Sequence, residues 1–293
     1  MNIGEEFIPT TLDDWTRSDA YHNSFLLSKD PVLEHTRERA ETACLPPIAV
    51  TPAVGKFLQL LAFSLNAKRV LEVGTLAGYE ALDDLHRRPL PIMTLVPRYS
   101  AICLARALPD DGRLITLELV KETAEVARQN IEEAGLASKV EVVIGPAAET
   151  LASMSAAEPF DLVFLDADKE NLPIYFAEAK RLVKKRGVIV VDNMVRNGRT
   201  ADPSYTDEHV PGLRRLLQCV KDDPEVDATT VSTVGEKGYD GFMYAWPTTC
   251  RAIVEHMRTE AGVTADIDVS GNMHNYDSTE YGNRASAWTK HPT

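Results

Sequence analysis

Two short apolar runs, each ending abruptly in acidic or amide residues, constrain the fold of this chain more than any other feature. The first is Phe160–Leu165, followed by Asp166-Ala-Asp-Lys169, and the second is Gly187–Val191, followed by Asp192-Asn193. Such runs predict buried parallel strands. Neighbouring parallel strands lie about 4.8 Å apart. Their polar ends are therefore expected to converge at the carboxyl edge of a sheet, where open α/β sheets bind ligands.

The converging side chains have the chemistry of a site for a hard cation. Asp166, Asp192 and Asn193 offer carboxylate and amide oxygens without clustered His or Cys, and this set suits Mg²⁺ or Ca²⁺ better than zinc. Lys169 follows closely and is expected near the same site. The alternative is that each acid caps a turn or the next helix, and that Lys169 is a surface lysine paired with Asp168. The occurrence of all these residues at the ends of two apolar runs favours the site.

Composition limits the class of protein. The 293 residues are 44% hydrophobic, which allows one large or two small domains with a sizeable core. A formal net charge of −13 without a basic stripe argues against a nucleic-acid partner and favours a small molecule or another protein. The four cysteines are widely spaced, which indicates reduced thiols. The acidic first residues and the lack of a long apolar run predict a soluble, cytoplasmic protein with no membrane segment.

Predicted strands and helices alternate along the chain, which indicates a doubly wound, mostly parallel α/β sheet. The N-terminal helices are interpreted as a lid or dimer element, and the loop 194–209 is expected to lie over the acidic edge and to carry substrate contacts. Helices are predicted over residues 11–45, 54–65, 119–135 and 210–220. Further strands are predicted over 69–73, 113–118, 139–144, 229–234 and 243–246, with a tight turn over 235–242.

The loop after the first strand indicates a cofactor site. Gly74-Thr-Leu-Ala-Gly78 contains the glycines that let a backbone approach a ligand. It is not the GxGxxG fingerprint, which disfavours a nicotinamide-dependent dehydrogenase. Glu118 ends the second strand, where an acid can accept hydrogen bonds from ribose hydroxyls.

Five segments, in order along residues 12–246, resemble a known enzyme family. It is the cation-dependent, S-adenosylmethionine (SAM)-dependent O-methyltransferases that include catechol and caffeoyl-coenzyme A O-methyltransferases. The resemblance implies a Rossmann-like class I methyltransferase fold in one domain, 1–246, acting as a homodimer on a small phenolic acceptor. The matching segments are Leu45-Pro-Pro-Ile48, Val70-Leu-Glu-Val-Gly-Thr-Leu76, Phe160–Lys169, Val190-Val-Asp-Asn193 and Gly238-Tyr-Asp-Gly-Phe242.

The resemblance also implies roles for individual residues. Asp166, Asp192 and Asn193 would hold the divalent cation, with Mg²⁺ favoured over Mn²⁺ or Ca²⁺, and Lys169 would be the general base. A cation of this kind favours ionisation of a phenolic hydroxyl and fixes the nucleophile for in-line attack on the sulfonium methyl. The residues that would contact SAM are Glu72, Gly74, Ser100, Glu118, Ala147 and Asp166.

Two segments depart from the family pattern. Residues 79–98 interrupt the cofactor loop, where long insertions are unusual, and they place Glu118 farther from Gly74 than the roughly 20 residues expected for a ribose acid. A splice between a GT at the Gly78–Tyr79 codon junction and an AG in the Arg98 codon would remove the insert in frame, so we interpret it as a retained intron. The alternatives are a tolerated surface excursion and a non-catalytic relative with a disabled loop. The polar tail 247–293 is predicted to be a disordered extension.

Overall fold

A seven-stranded sheet in the order β3-β2-β1-β4-β5-β7-β6 forms the centre of the protein. The computed structural model describes residues 9–42, 50–74, 99–207 and 209–248. The first five strands are parallel, and β7 is antiparallel to β5 and to β6. The strands are β1 Arg69–Val73, β2 Arg113–Glu118, β3 Val140–Ile144, β4 Phe160–Leu165, β5 Val183–Val191, β6 Val226–Gly235 and β7 Gly238–Pro247.

Helices connect the parallel strands and cover the sheet, which confirms the predicted Rossmann-like α/β fold. In the described part of the chain they are α1 Leu12–Leu26, α2 Pro31–Thr42, α3 Pro52–Ser64, α4 Tyr99–Arg106, α5 Lys121–Glu133, α6 Ala147–Ser153, α7 Leu172–Leu182 and α8 Val210–Asp222, with a short 3₁₀ helix at Arg199–Ala201. No helix among these described residues has the length and apolar character needed to cross a membrane.

The central strands bury both of their faces, as continuous apolar sequence requires. Every residue of β4 is buried. Successive side chains of a strand point to opposite faces, and here they enter two separate cores. One core contains Val163, Leu165, Ile189 and Val191. The other contains Leu162, Phe164, Val188 and Val190.

The carboxyl ends of β1, β4 and β5 lie level with one another. The Asp166 amide donates to the Val73 carbonyl at 2.8 Å, and the Asp192 amide donates to the Leu165 carbonyl at 2.9 Å. Each bond extends the parallel ladder by one residue beyond the strands. The two acids that follow the apolar runs are therefore brought to the same edge of the sheet, as the sequence predicts.

Several local features differ from the sequence-based expectations. The sequence offers Asp13 and Asp14 as possible caps of the first helix, but Thr11 caps α1, and Asp14 completes a capping box by accepting from the Thr11 backbone. The predicted turn over 235–242 is wrong, because residues 238–242 are already strand and only 236–237 separate β6 from β7. The connector 45–48, the insert 79–98 and the tail beyond 248 lie outside the described residues, so the predictions made for them stay predictions.

Candidate functional site

A buried lysine lies against the acids at the carboxyl edge of the sheet. Lys169 Nζ is 3.3 Å from Asp166 Oδ1 and 3.4 Å from the Asp192 carbonyl oxygen. The Lys169 side chain is only 7% exposed, against 26% for Asp166. Lys169 is therefore not a surface lysine, and its ion pair is with Asp166 rather than with Asp168.

The second acid, Asp192, lies in an environment that opposes its ionisation. Burial raises the pKa of Asp192 to about 7, and the negative charge of Asp166 adds to this effect. The Lys169 ammonium and the Asn193 amide act in the opposite direction without cancelling it. Two neighbouring carboxylates that share one site behave in this way when their repulsion exceeds the nearby positive charge.

Asp168 does not belong to this cluster. Its carboxylate accepts hydrogen bonds from the Asn171 side chain at 2.7 Å, from the Asn171 amide at 3.1 Å and from the Tyr175 hydroxyl at 2.6 Å. These contacts fasten the start of α7. The turn-capping alternative considered for every strand-end acid thus applies to Asp168, whereas Asp166 contacts Lys169 and its charge acts on Asp192.

Asn193 reaches the site through an unusual backbone conformation. Its φ of 58° lies in the left-handed region. Its backbone nitrogen donates to Asp192 Oδ1 at 2.8 Å. Its side-chain Nδ2 donates to Asp240 Oδ2 at 3.4 Å. Within the described residues, no group of three His, Cys, Asp and Glu side chains is arranged to hold a metal. The candidate oxygen ligands are instead two carboxylates and this amide.

Asp240 was given no role by the sequence reasoning. Its Oδ1 accepts from the backbone amides of Val195 at 3.1 Å and Arg196 at 2.9 Å. The sequence indicates only that Asp240 belongs to the Gly238–Phe242 segment. Its role depends on the position of β7 beside the end of β5, which the sequence does not show.

The residues predicted to contact the cofactor lie at the same edge of the sheet. Glu72 is paired with Thr116 across β1 and β2. Its carboxylate accepts from the Thr116 hydroxyl at 2.6 Å and from the Ser100 hydroxyl at 2.5 Å. Glu118 is fully buried and accepts from the Val120 amide at 2.9 Å. Ala147 begins α6, and Gly74 directly follows β1.

Hydrogen bonds from two directions hold the loop 194–209. Arg214 of α8 donates from Nε to the Thr200 carbonyl at 3.0 Å. On the other side, the Asn197 amide donates to the Tyr239 carbonyl of β7 at 2.7 Å. These bonds hold the loop between α8 and the start of β7, and its position over the acids stays a prediction.

Known proteins with similar sequences are O-methyltransferases. The sequence model of a family described as O-methyltransferase matches residues 23–91 and 87–239. A catechol O-methyltransferase of Mycobacterium tuberculosis is 44% identical over 227 residues, covering 78% of this chain and 93% of that protein.

Two solved structures are also similar. The O-methyltransferase from Bacillus cereus, in complex with SAH, has a TM-score of 0.71 and 40% identity, covering 81% of this chain and 100% of that one. TomG from Streptomyces achromogenes, an O-methyltransferase involved in tomaymycin synthesis and solved with SAM, has a TM-score of 0.71 and 38% identity, covering 82% and 100%.

Proposed function

This chain belongs to the O-methyltransferase family, and we propose that it transfers the methyl group of SAM to a hydroxyl of a small, catechol-like phenol with the help of a divalent cation. The observation that carries the proposal is the cluster of Asp166, Asp192 and Lys169 at the carboxyl edge of the sheet. The similarity to a catechol O-methyltransferase and to SAM-bound and SAH-bound O-methyltransferases supports the acceptor and the methyl donor.

The residues at this edge fit a divalent cation. Asp166, Asp192 and Asn193 would hold it, because two mutually repelling carboxylates and an amide form an oxygen site with excess negative charge. Mg²⁺ suits such a site best, with Mn²⁺ or Ca²⁺ as alternatives. When bound, the cation supplies the positive charge that favours the ionised acceptor hydroxyl.

The proposed role of Lys169 is to take the proton of that hydroxyl. The acceptor oxygen forms a bond to the methyl carbon, the bond between that carbon and the sulfonium sulfur breaks, and the hydroxyl proton moves to Nζ of Lys169. To act as the base, Lys169 must first release the proton that it carries in its ion pair with Asp166, and the positive charge of a bound cation would favour that release. Asp166 orients the lysine at 3.3 Å, and burial of the side chain limits competing proton exchange with water. Glu118 would accept from the ribose hydroxyls of SAM, and Glu72 and Ser100 would contact SAM beside Gly74.

We also propose that the protein is a homodimer. In the described part of the chain, large apolar side chains are strongly exposed on the N-terminal helices: Tyr21, Phe25 and Leu26 of α1, and Leu60 and Phe63 of α3. Exposed apolar groups gathered on few elements are typical of interaction surfaces. Light scattering coupled to size exclusion should give twice the chain mass, and F25E/F63E should give the monomer.

A second function is favoured by one observation. The family match consists of two segments that meet inside the insert 79–98, so the full-length chain is a candidate for a non-catalytic relative with a disrupted cofactor loop. Calorimetry with SAM on the full-length chain and on a variant lacking 79–98 separates the two functions. Binding by the shortened chain alone supports the non-catalytic form.

The catalytic proposal is tested by methyl transfer from labelled SAM to a panel of catechols and hydroxycinnamoyl esters. We expect transfer that requires Mg²⁺ and is abolished by D166A or D192A. The matched control is D168N, which changes an acid that faces α7 instead of the site and should keep activity. Full activity in excess chelator would exclude the role of the cation. Failure of both chain lengths to methylate any panel member would exclude the proposed acceptor class.

A further inference from the structure

Asp240 lies beside Asn193, the third candidate cation ligand, and accepts a hydrogen bond from it. It lies on the antiparallel strand β7, whose register with β5 ends at Val191 opposite Met243. Beyond that pair the contact continues, because the Met194 amide donates to the Gly241 carbonyl at 2.8 Å. The Asp240 carboxylate is consequently held beside the chain that carries Asn193.

The segment that Asp240 contacts is conformationally costly. Asn193, Arg196 and Asn197 have φ values of 58°, 50° and 56°. Left-handed conformations are unfavourable for residues other than glycine, although less so for Asn than for Arg. Asp240 Oδ1 accepts from the amides of Val195 and Arg196 and from its own neighbour Gly241 at 2.9 Å. Hydrogen bonds to a charged acceptor offset this cost.

The other carboxylate oxygen has a different role. Asp240 Oδ2 accepts from Asn193 Nδ2, and an ionised carboxylate can only accept. The side-chain amide carries Nδ2 and Oδ1 on opposite sides of its carbon, so the bond that fixes Nδ2 on Asp240 turns Oδ1 away from Asp240. Oδ1 is the atom that a hard cation requires, whereas Nδ2 would repel it.

We propose that Asp240 is a positioning residue that selects the orientation of the Asn193 amide and so presents its oxygen to the divalent cation. This inference rests on the proposed cation site. It assigns Asp240 no contact with the cation or the substrate. The loss of such a supporting contact typically weakens metal binding about 10- to 100-fold.

The test exchanges the amide of Asn193 and the carboxylate of Asp240 between the two positions. In D240N, the introduced amide can still accept from the loop amides, but its nitrogen faces the Asn193 nitrogen, so the Asn193 amide is forced to turn. In N193D/D240N, the introduced amide donates to the introduced carboxylate, and an oxygen again faces the cation. N193D alone places two carboxylates against each other. The four proteins form a double-mutant cycle.

Mn²⁺ binding, measured by electron paramagnetic resonance, is the readout, and SAM affinity serves as the control for folding. We expect D240N to bind Mn²⁺ at least about tenfold more weakly than the wild type. We expect N193D/D240N to bind at least about tenfold more tightly than the product of the two single effects predicts. Single effects that simply multiply would show that Asp240 only holds the loop and would overturn the inference.

Other outcomes are also decisive. If D240N does not fold, the exchange must restore folding together with Mn²⁺ binding, and a double variant that also fails to fold overturns the inference. Suppose that the wild type binds Mn²⁺ and that D166A abolishes this binding. If D240N then binds Mn²⁺ as tightly as the wild type, the role of Asp240 is refuted and the cation site is retained. Wild-type protein without Mn²⁺ binding refutes the cation site itself, and the inference with it.

Discussion

Cation binding at this site should depend steeply on pH because Asp192 must lose a proton to become a ligand. Burial, followed by the charge of Asp166, raises the pKa of Asp192 to about 7. With this pKa, Asp192 is about 90% ionised at pH 8 and about 10% ionised at pH 6 in the cation-free protein. The apparent affinity for Mg²⁺ or Mn²⁺ is therefore expected to fall about tenfold between pH 8 and pH 6.

The same shift predicts how the cation-free protein responds to pH. When folding raises the pKa of a carboxyl group, the protonated group stabilises the folded state. This stabilisation is complete when the pH is below the pKa of the unfolded chain, which is near the ordinary value of 3.8. That stabilisation is lost as the pH rises towards 7, because the unfolded chain then releases a proton that the folded chain retains. The matched control is D192N, which keeps the shape of the side chain and removes the titration.

Two measurements check this reasoning. Calorimetric titration of Mn²⁺ at pH 6, 7 and 8 should show weakening towards low pH and release of close to one proton per cation at pH 6. Denaturant melts without cation should show that the stability of the wild type falls relative to D192N between about pH 4 and pH 7. An affinity that is constant across pH 6–8, or a wild type that gains on D192N as the pH rises, would refute the assigned environment of Asp192.

Three further predictions concern other parts of the protein. K169M should lower kcat at least about 100-fold while changing SAM affinity little, as steady-state kinetics and calorimetry would show; an unchanged kcat would exclude the general-base role. D161N should destabilise the fold at neutral pH. The reason is that, although burial raises the pKa of Asp161, Lys184 and the amides of Lys68 and Arg69 outweigh it and lower the pKa. This effect should shrink as the pH falls below about 3.8, because the unfolded chain then binds a proton that the folded carboxylate does not yet bind, and it should be lost below the lowered pKa of the folded state. Melts with an equal difference at pH 3 and pH 7 would contradict it. Deletion of 79–98 should tighten SAM binding on the order of tenfold by preorganising the loop; a mature transcript that retains the segment, together with equal affinities, would refute the retained-intron hypothesis.

The sequence was sufficient for the parallel half of the fold and for the acids of the site. Apart from Asp161, residues 160–165 and 187–191 are apolar, and strands buried on both faces need such sequence. Because parallel strands end on the same side of a sheet, the positions of Asp166 and Asp192 in the chain were enough to predict that they share an edge. This inference depends on local pattern and on one general rule of topology.

Contacts between distant parts of the chain could not be predicted in the same way. Asp168 and Asp166 are both strand-end acids, and only the packing of α7 shows that Asp168 is used by Tyr175 and Asn171. The extent of β7 was missed because Gly238 and Gly241 indicated a turn, whereas pairing with β6 extends the strand through both glycines. Tertiary pairing overrode local preference at this position.

The division between sequence and structure is clearest around Asn193. Its place after β5 determined that it lies at the acidic edge, since the strand period and the parallel arrangement leave no other position. The orientation of its amide was decided by Asp240, which is 47 positions away along the chain. Antiparallel pairing brings β7 back beside the end of β5, so the hydrogen-bonding partner of Asn193 arises from long-range strand pairing and not from a local signal.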